Sequence, residues 1–111
     1  MIIDWSPAWL PYLTHLARAD VVGAAGCILA ERGATRRSLA VMHGAVMRRA
    51  TGSPYDGERH LAYLRRGDLA LAEALSAQLE TWIRQQAPPV ADDMETMTRW
   101  ACALMGQMGG E

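Results

Sequence analysis

The stretch Asp20–Gly52, DVVGAAGCILAERGATRRSLAVMHGAVMRRATG, decides the fold. It opens on an aspartate, whose carboxylate accepts hydrogen bonds from the free N–H groups of a first helical turn. Val21, Val22, Ala24, Ala25, Cys27, Ile28 and Leu29 follow. They are apolar around most of a helical circumference, the pattern of a helix surrounded by others. A central helix from Asp20 to Arg32, stopped by Gly33, is therefore expected. Gly23 and Gly26 each weaken it by up to ~1 kcal/mol, which a closely approaching neighbour helix would explain. Thr35 then caps a second helix that ends near Ala50, with Gly52 beyond it. At ~100° per residue, Leu39, Met42 and Val46 fall within roughly 60° of one another and form its buried stripe. Arg37, Val41, Gly44 and Arg48 lie one or two turns apart on a largely opposite face.

Outward from this core, the same punctuation recurs. Ser6-Pro7 opens a helix reaching about Ala19, with Pro11 in its first turns. Ser53–Gly57 reads as a turn before a short helix over 58–66, stopped by Gly67. Asp68 caps a long helix to about Gln86 whose stripe is Leu71, Leu75, Leu79 and Trp82, closed by Pro88-Pro89. Asp92 and Glu95 have capping-box spacing and open a last helix over 93–107. Sustained strand-type alternation and internal repeats are absent from the sequence. The expectation is an all-α, compact single-domain array of about five to six short helices spanning residues 1–111.

Composition agrees. Of 111 residues, 50% are hydrophobic and 21% charged, which suits one globular domain and excludes a disordered chain. Cys27 and Cys102 lie far apart inside apolar helical patterns and read as reduced, buried thiols. Met1–Trp5 has neither a basic nor an apolar leader region, so no signal peptide is expected. The longest apolar stretch, Val21–Ala30, falls well short of the ~20 residues that cross a bilayer. A cytoplasmic location without membrane contact follows as an expectation.

All 11 basic residues are arginine, a bias that a GC-rich genome explains. Their placement is another matter. Residues 32–66 carry eight arginines against Asp56 and Glu58, a net of +6, while residues 67–111 carry a net of −5. A basic middle inside a near-neutral chain marks either an anionic partner or internal pairing with the acidic third.

The motifs of catalysis are missing. His15, His43 and His60 fall on three different expected helices, without metal-ligand spacing, and there is no Cys-x-x-Cys. The nucleophile elbow, the phosphate-binding loop and the dinucleotide fingerprint are absent as well. No enzyme activity, metal or cofactor is expected.

Two surfaces remain. Arg36 and Arg37 stand in the first turn after Thr35, where free N–H groups, a hydroxyl and two guanidiniums make an anion site. Gly44, between Arg37 and Arg48 on one face, lets another backbone approach closely. Arg59, Tyr63 and Arg66 share a face of the next helix, combining phosphate-seeking charge with a ring that stacks on bases. Residues 20–50 have the gross order of a helix-turn-helix, but Leu29 and Arg32 do not suit its packing positions. The second surface is the C-terminal helix, where Met94, Met97, Trp100, Met105 and Met108 offer an adaptable face for an oligomer. The function expected is thus a non-enzymatic helical binding or regulatory module. Its Arg-rich face engages nucleic acid or a ribonucleoprotein. The alternative is an adaptor or inhibitor that binds an acidic protein surface, as a homodimer through the Met/Trp helix.

Overall fold

Caps and glycines divide the chain into six α-helices in the computed structural model, which describes residues 8–90 and 93–109, with side-chain surroundings through Leu104. They are α1 Trp9–Ala17, α2 Val21–Leu29, α3 Gly33–Thr51, α4 Asp56–Arg66, α5 Leu69–Arg84 and α6 Met94–Gly109. There is no strand among the described residues, so the fold is all-helical. No helix among them is long and apolar enough to cross a membrane.

Asp20 caps α2 as its position demands: Oδ1 accepts from the Gly23 N–H at 3.0 Å, and Oδ2 meets His15 Nδ1 at 2.9 Å. These contacts, the Gly23 N–H foremost, hold the carboxyl below its ordinary range. The carboxylate folds over Gly23 so closely that any side chain there would collide with it and with the His15 ring. Gly23 is therefore crowded both by its own cap and by His15 of the neighbouring α1. At Gly26, by contrast, a side chain would meet nothing within 4 Å, so no close approach explains that glycine.

Several expected boundaries and faces shift. The third helix starts at Gly33, two residues before Thr35, because extended Arg32 takes the cap position and Gly33 turns at φ +60°. Thr35 lies inside the first turn, and no side chain caps α3. α2 is not surrounded: Val21, Ala24, Ala25 and Ile28 are buried, while Val22 is exposed. The organising element is α3, which touches α2, α4, α5 and α6 and buries Leu39, Met42, His43, Val46 and Met47.

In α5 the buried stripe is Ala72, Leu75, Ser76, Leu79 and Ile83, rotated from the expected one. Leu71 is exposed and Trp82 only half-buried, because the small residues Ala72 and Ser76 face the neighbouring helices. The last helix is capped by Asp93, one residue later than expected. Its carboxylate takes the Thr96 N–H at 2.9 Å and the Thr96 hydroxyl at 2.8 Å, while Glu95 turns to Arg99. Asp92 lies outside the described residues. α6 docks on the core through Met97, Trp100, Ala101 and Leu104, and the Trp100 indole N–H donates to the Gln86 carbonyl at 3.1 Å.

Candidate functional site

Four helices meet on one buried polar chain. Tyr12 of α1, His43 of α3, His60 of α4 and Ser76 of α5 are linked in that order. The links are Tyr12 Oη to His43 Nδ1 at 3.0 Å, His43 Nε2 to His60 Nδ1 at 2.9 Å, and His60 Nε2 to Ser76 Oγ at 2.8 Å. Tyr12 and both histidines are 0% exposed, and Ser76 is 8% exposed. The imidazoles stack with centroids 5.1 Å apart, and Tyr12 meets His43 edge-on. Burial, and then the neighbouring His60, pushes His43 down to about 3; burial pushes His60 down to about 4. Both rings are neutral at pH 7.

Neutral rings carry one N–H each, so the chain runs in one of two directions. In the first, Tyr12 donates to His43, His43 Nε2–H donates to His60, and His60 Nε2–H donates to Ser76. In the reverse, the phenol only accepts, and its own proton finds no acceptor among the described residues. A buried unsatisfied donor costs about 1–3 kcal/mol. The first direction leaves over only the Ser76 proton, at the end of the chain that reaches solvent. Both histidines are accordingly assigned the Nε2–H tautomer.

Ser76, His60 and His43 have the order of nucleophile, base and orienting group. A reacting serine also needs room for a carbonyl and donors for the developing oxyanion. Ser76 stands in mid-α5, where backbone N–H groups are spent on helix bonds, and it lines none of the grooves described below. The chain's directional links join four helices across the core.

The arginines of residues 32–66 lie outside this core. Arg32, Arg37, Arg48, Arg49, Arg59, Arg65 and Arg66 are exposed, and Arg36 is half-buried. The ion pairs between described side chains are local in sequence: Arg59–Asp56, Arg66–Asp68, Arg84–Glu80 and Arg99–Glu95. Arg66–Asp68 alone among them joins the basic middle to the acidic third. Arg32, Arg36, Arg37, Arg48 and Arg65 form no ion pair among the described residues, whereas Arg49 has a contact of its own.

Comparison with known proteins adds no relative. No family model, no curated protein and no solved structure matches this chain. Its chemistry rests on its own surfaces.

On α3, Arg36 and Arg37 are the fourth and fifth residues, beside the first-turn N–H groups of Gly33, Ala34 and Thr35, which no side chain caps. The close approach at Gly44 is occupied by α4, whose Gly57 packs on the Gly44 backbone. The outward side of Gly44 remains open. There it lines a groove of about 400 Å³ with Val41, Ala45, Arg48, Pro54 and Glu58. α4 does not gather its arginines around one ring. Arg59 bonds Asp56 and lies over Tyr55 at 5.9 Å, and Arg66 bonds Asp68 and lies over Tyr63 at 5.4 Å.

The methionine face divides differently. Met97 and Trp100 are 1% and 8% exposed and belong to this chain's own core, so they are withdrawn from any oligomer surface. Met94 is exposed; the side chains of Met105 and Met108 lie outside the described residues. Two features escaped the sequence reading. His43 falls on the Leu39–Met42–Val46 stripe, which was a signal of its burial, but its partner His60 was visible only once α4 crossed α3. Trp82 shares the expected Leu71–Leu75–Leu79 stripe, but α5 turns Ala72, Ser76 and Ile83 inward and leaves Trp82 half-buried.

Proposed function

We propose that this protein is a non-enzymatic helical binding module whose α3 surface, centred on Arg36, Arg37 and Arg48, engages an anionic partner, and that the partner is nucleic acid. One observation carries the reading: these guanidiniums are left without carboxylate partners among the described residues while seven acids sit in the last third of the chain. Positive charge that is not spent internally attracts polyanions over several ångströms and speeds their encounter. Arg59 and Arg66 add to the same field. Their exposed ion pairs are each worth only ~0–1 kcal/mol, so a phosphate can displace the carboxylate.

A second reading has its own support. Val41 stands between Arg37 and Arg48 on α3 and is 54% exposed. An apolar side chain flanked by arginines suits an acidic protein surface with an apolar centre, as an adaptor or inhibitor would meet. Affinity capture from native lysate with and without nuclease separates the two. Nucleic acid that co-purifies, is lost on nuclease treatment and falls with Arg36, Arg37 and Arg48 changed to alanine supports the first reading. A protein partner that survives nuclease and is lost with the same variant replaces it with the second.

A further inference from the structure

The three histidines of the chain stand in two settings. His43 and His60 are fully buried, whereas the His15 side chain, in the last turn of α1, is 41% exposed. Its ring is fixed all the same. Ala19 turns at φ +60° after α1, and the Asp20 N–H comes back onto the His15 carbonyl at 2.9 Å. The Asp20 carboxylate then serves two partners. Oδ1 takes the Gly23 N–H, which is all that capping α2 requires, and Oδ2 takes His15 Nδ1 at 2.9 Å. Gly23 keeps the pair possible, because a side chain there would strike both the carboxylate and the ring.

The tautomer follows from the partner. The Gly23 N–H foremost holds the Asp20 carboxyl below its ordinary range, so it is ionised and only accepts. Nδ1 therefore carries the proton. In the neutral ring the lone pair sits on Nε2, which has no hydrogen bond among the described residues. A ring held at one nitrogen by a carboxylate, with the other nitrogen open, is an oriented nucleophile. Positive charge develops on the ring as Nε2 attacks, and the carboxylate beside Nδ1 stabilises it. Phosphoryl transfer suits such a site because it depends on positioning and charge more than on covalent machinery. The N–P product is energy-rich, which selects an acyl phosphate over a phosphate ester as donor.

We propose that His15 is a phosphoryl acceptor, positioned by Asp20, that takes its phosphoryl group from an acyl phosphate. The Nε2 lone pair attacks phosphorus and forms the N–P bond. The P–O bond to the acyl group breaks, and its electron pair leaves with the donor as a carboxylate. No proton moves: Nδ1–H still faces Asp20, now as part of an imidazolium. The product places a phosphoryl dianion at the turn between α1 and α2, a charge that a partner can read. The proposal is independent of the nucleic-acid reading above.

The test uses acetyl phosphate, the simplest donor of this class, on the full chain near neutral pH. Peptide mapping and phosphorus-31 NMR follow the phosphoryl group. One group is expected on His15 Nε2, forming about tenfold faster than at His15 of the same chain unfolded in urea, the factor of one charged hydrogen bond. That comparison needs no variant. His15→Gln is expected to remove the product. Asp20→Asn keeps the α2 cap, since asparagine caps as well as aspartate, but removes the charge and turns an amide N–H to Nδ1. The His15 proton then moves to Nε2, seen in the imidazole nitrogen-15 shifts, and the rate falls to that of the unfolded chain. Labelling of the folded chain no faster than the unfolded one, labelling on Nδ1, or transfer of the acetyl group instead overturns the proposal. Equal rates in wild type and Asp20→Asn overturn the positioning by Asp20 and leave that residue as a helix cap alone.

Discussion

Gly57 of α4 packs on the backbone of Gly44 in α3, so that a methyl group built on Gly57 would stand 2.5 Å from the Gly44 Cα and 3.1 Å from its N. The contact is one-sided, since a methyl group on Gly44 would meet nothing within 4 Å. Gly57→Ala is expected to push α4 off α3 and cost ~1–3 kcal/mol, the range for overpacking. Gly44→Ala gains helix propensity and is expected to be neutral or stabilising by up to ~1 kcal/mol. Denaturant midpoints of the two variants check this, and equal effects would contradict the geometry.

The same crossing brings His60 to 2.9 Å from His43. With the phenol of Tyr12 as the first donor, both rings carry their proton on Nε2. Nitrogen-15 shifts of the imidazoles at pH 7 should report two neutral Nε2–H tautomers, and an Nδ1–H form of either would reverse the chain. Tyr12→Phe leaves His43 Nδ1 without a donor and is expected to cost ~1–3 kcal/mol.

Buried neutral histidines also make stability depend on pH. In the unfolded chain each takes up a proton near its ordinary value of 6.5, whereas folded His43 and His60 resist protonation until about 3 and 4. Between these limits the unfolded state binds more protons, so stability falls as pH falls. The two together give a slope approaching ~2.7 kcal/mol per pH unit below 6.5. Unfolding free energies measured from pH 7.5 to 5, above the carboxylate range, should show the loss. A flat profile would place one or both rings in contact with water.

Burial in α5 and α6 yields a further contrast. Leu79 is fully buried and Leu79→Ala is expected to cost ~2–5 kcal/mol. Trp82→Ala, which removes a half-buried ring, should cost less than Leu79→Ala. Met97→Asp puts a carboxylate at a site that is 1% exposed and should unfold the protein outright, not merely split an oligomer. Chemical denaturation of the first two, and circular dichroism of the third, test the assignment of faces.

Much of the helical order was readable because its determinants are local. Asp20, Gly52 and Gly67 act within one turn of their own positions, and they end or begin helices where the sequence places them. Errors arose where neighbours compete for a role. Arg32 holds the cap position of α3 in place of Thr35, Asp93 caps α6, and Asp68 keeps the cap position of α5 but turns its carboxylate to Arg66. The candidate surface was half-readable for the same reason. Segment charge located Arg36, Arg37 and Arg48, but whether a carboxylate elsewhere would neutralise them depended on tertiary placement. The Tyr12–His43–His60–Ser76 chain joins residues from four helices and leaves no periodic trace, so no window of sequence contains it.

The most direct test of the α3 surface is the salt dependence of nucleic-acid affinity for wild type and for the Arg37→Ala, Arg48→Ala double variant. Each lost phosphate contact lowers the log–log slope by about 0.7–0.9. Wild type is expected to bind at low salt and to weaken steeply as salt rises, with the double variant shallower by roughly 1.4–1.8 in slope. Absence of binding at low salt, or an unchanged slope in the double variant, would contradict the assignment of this surface to nucleic acid.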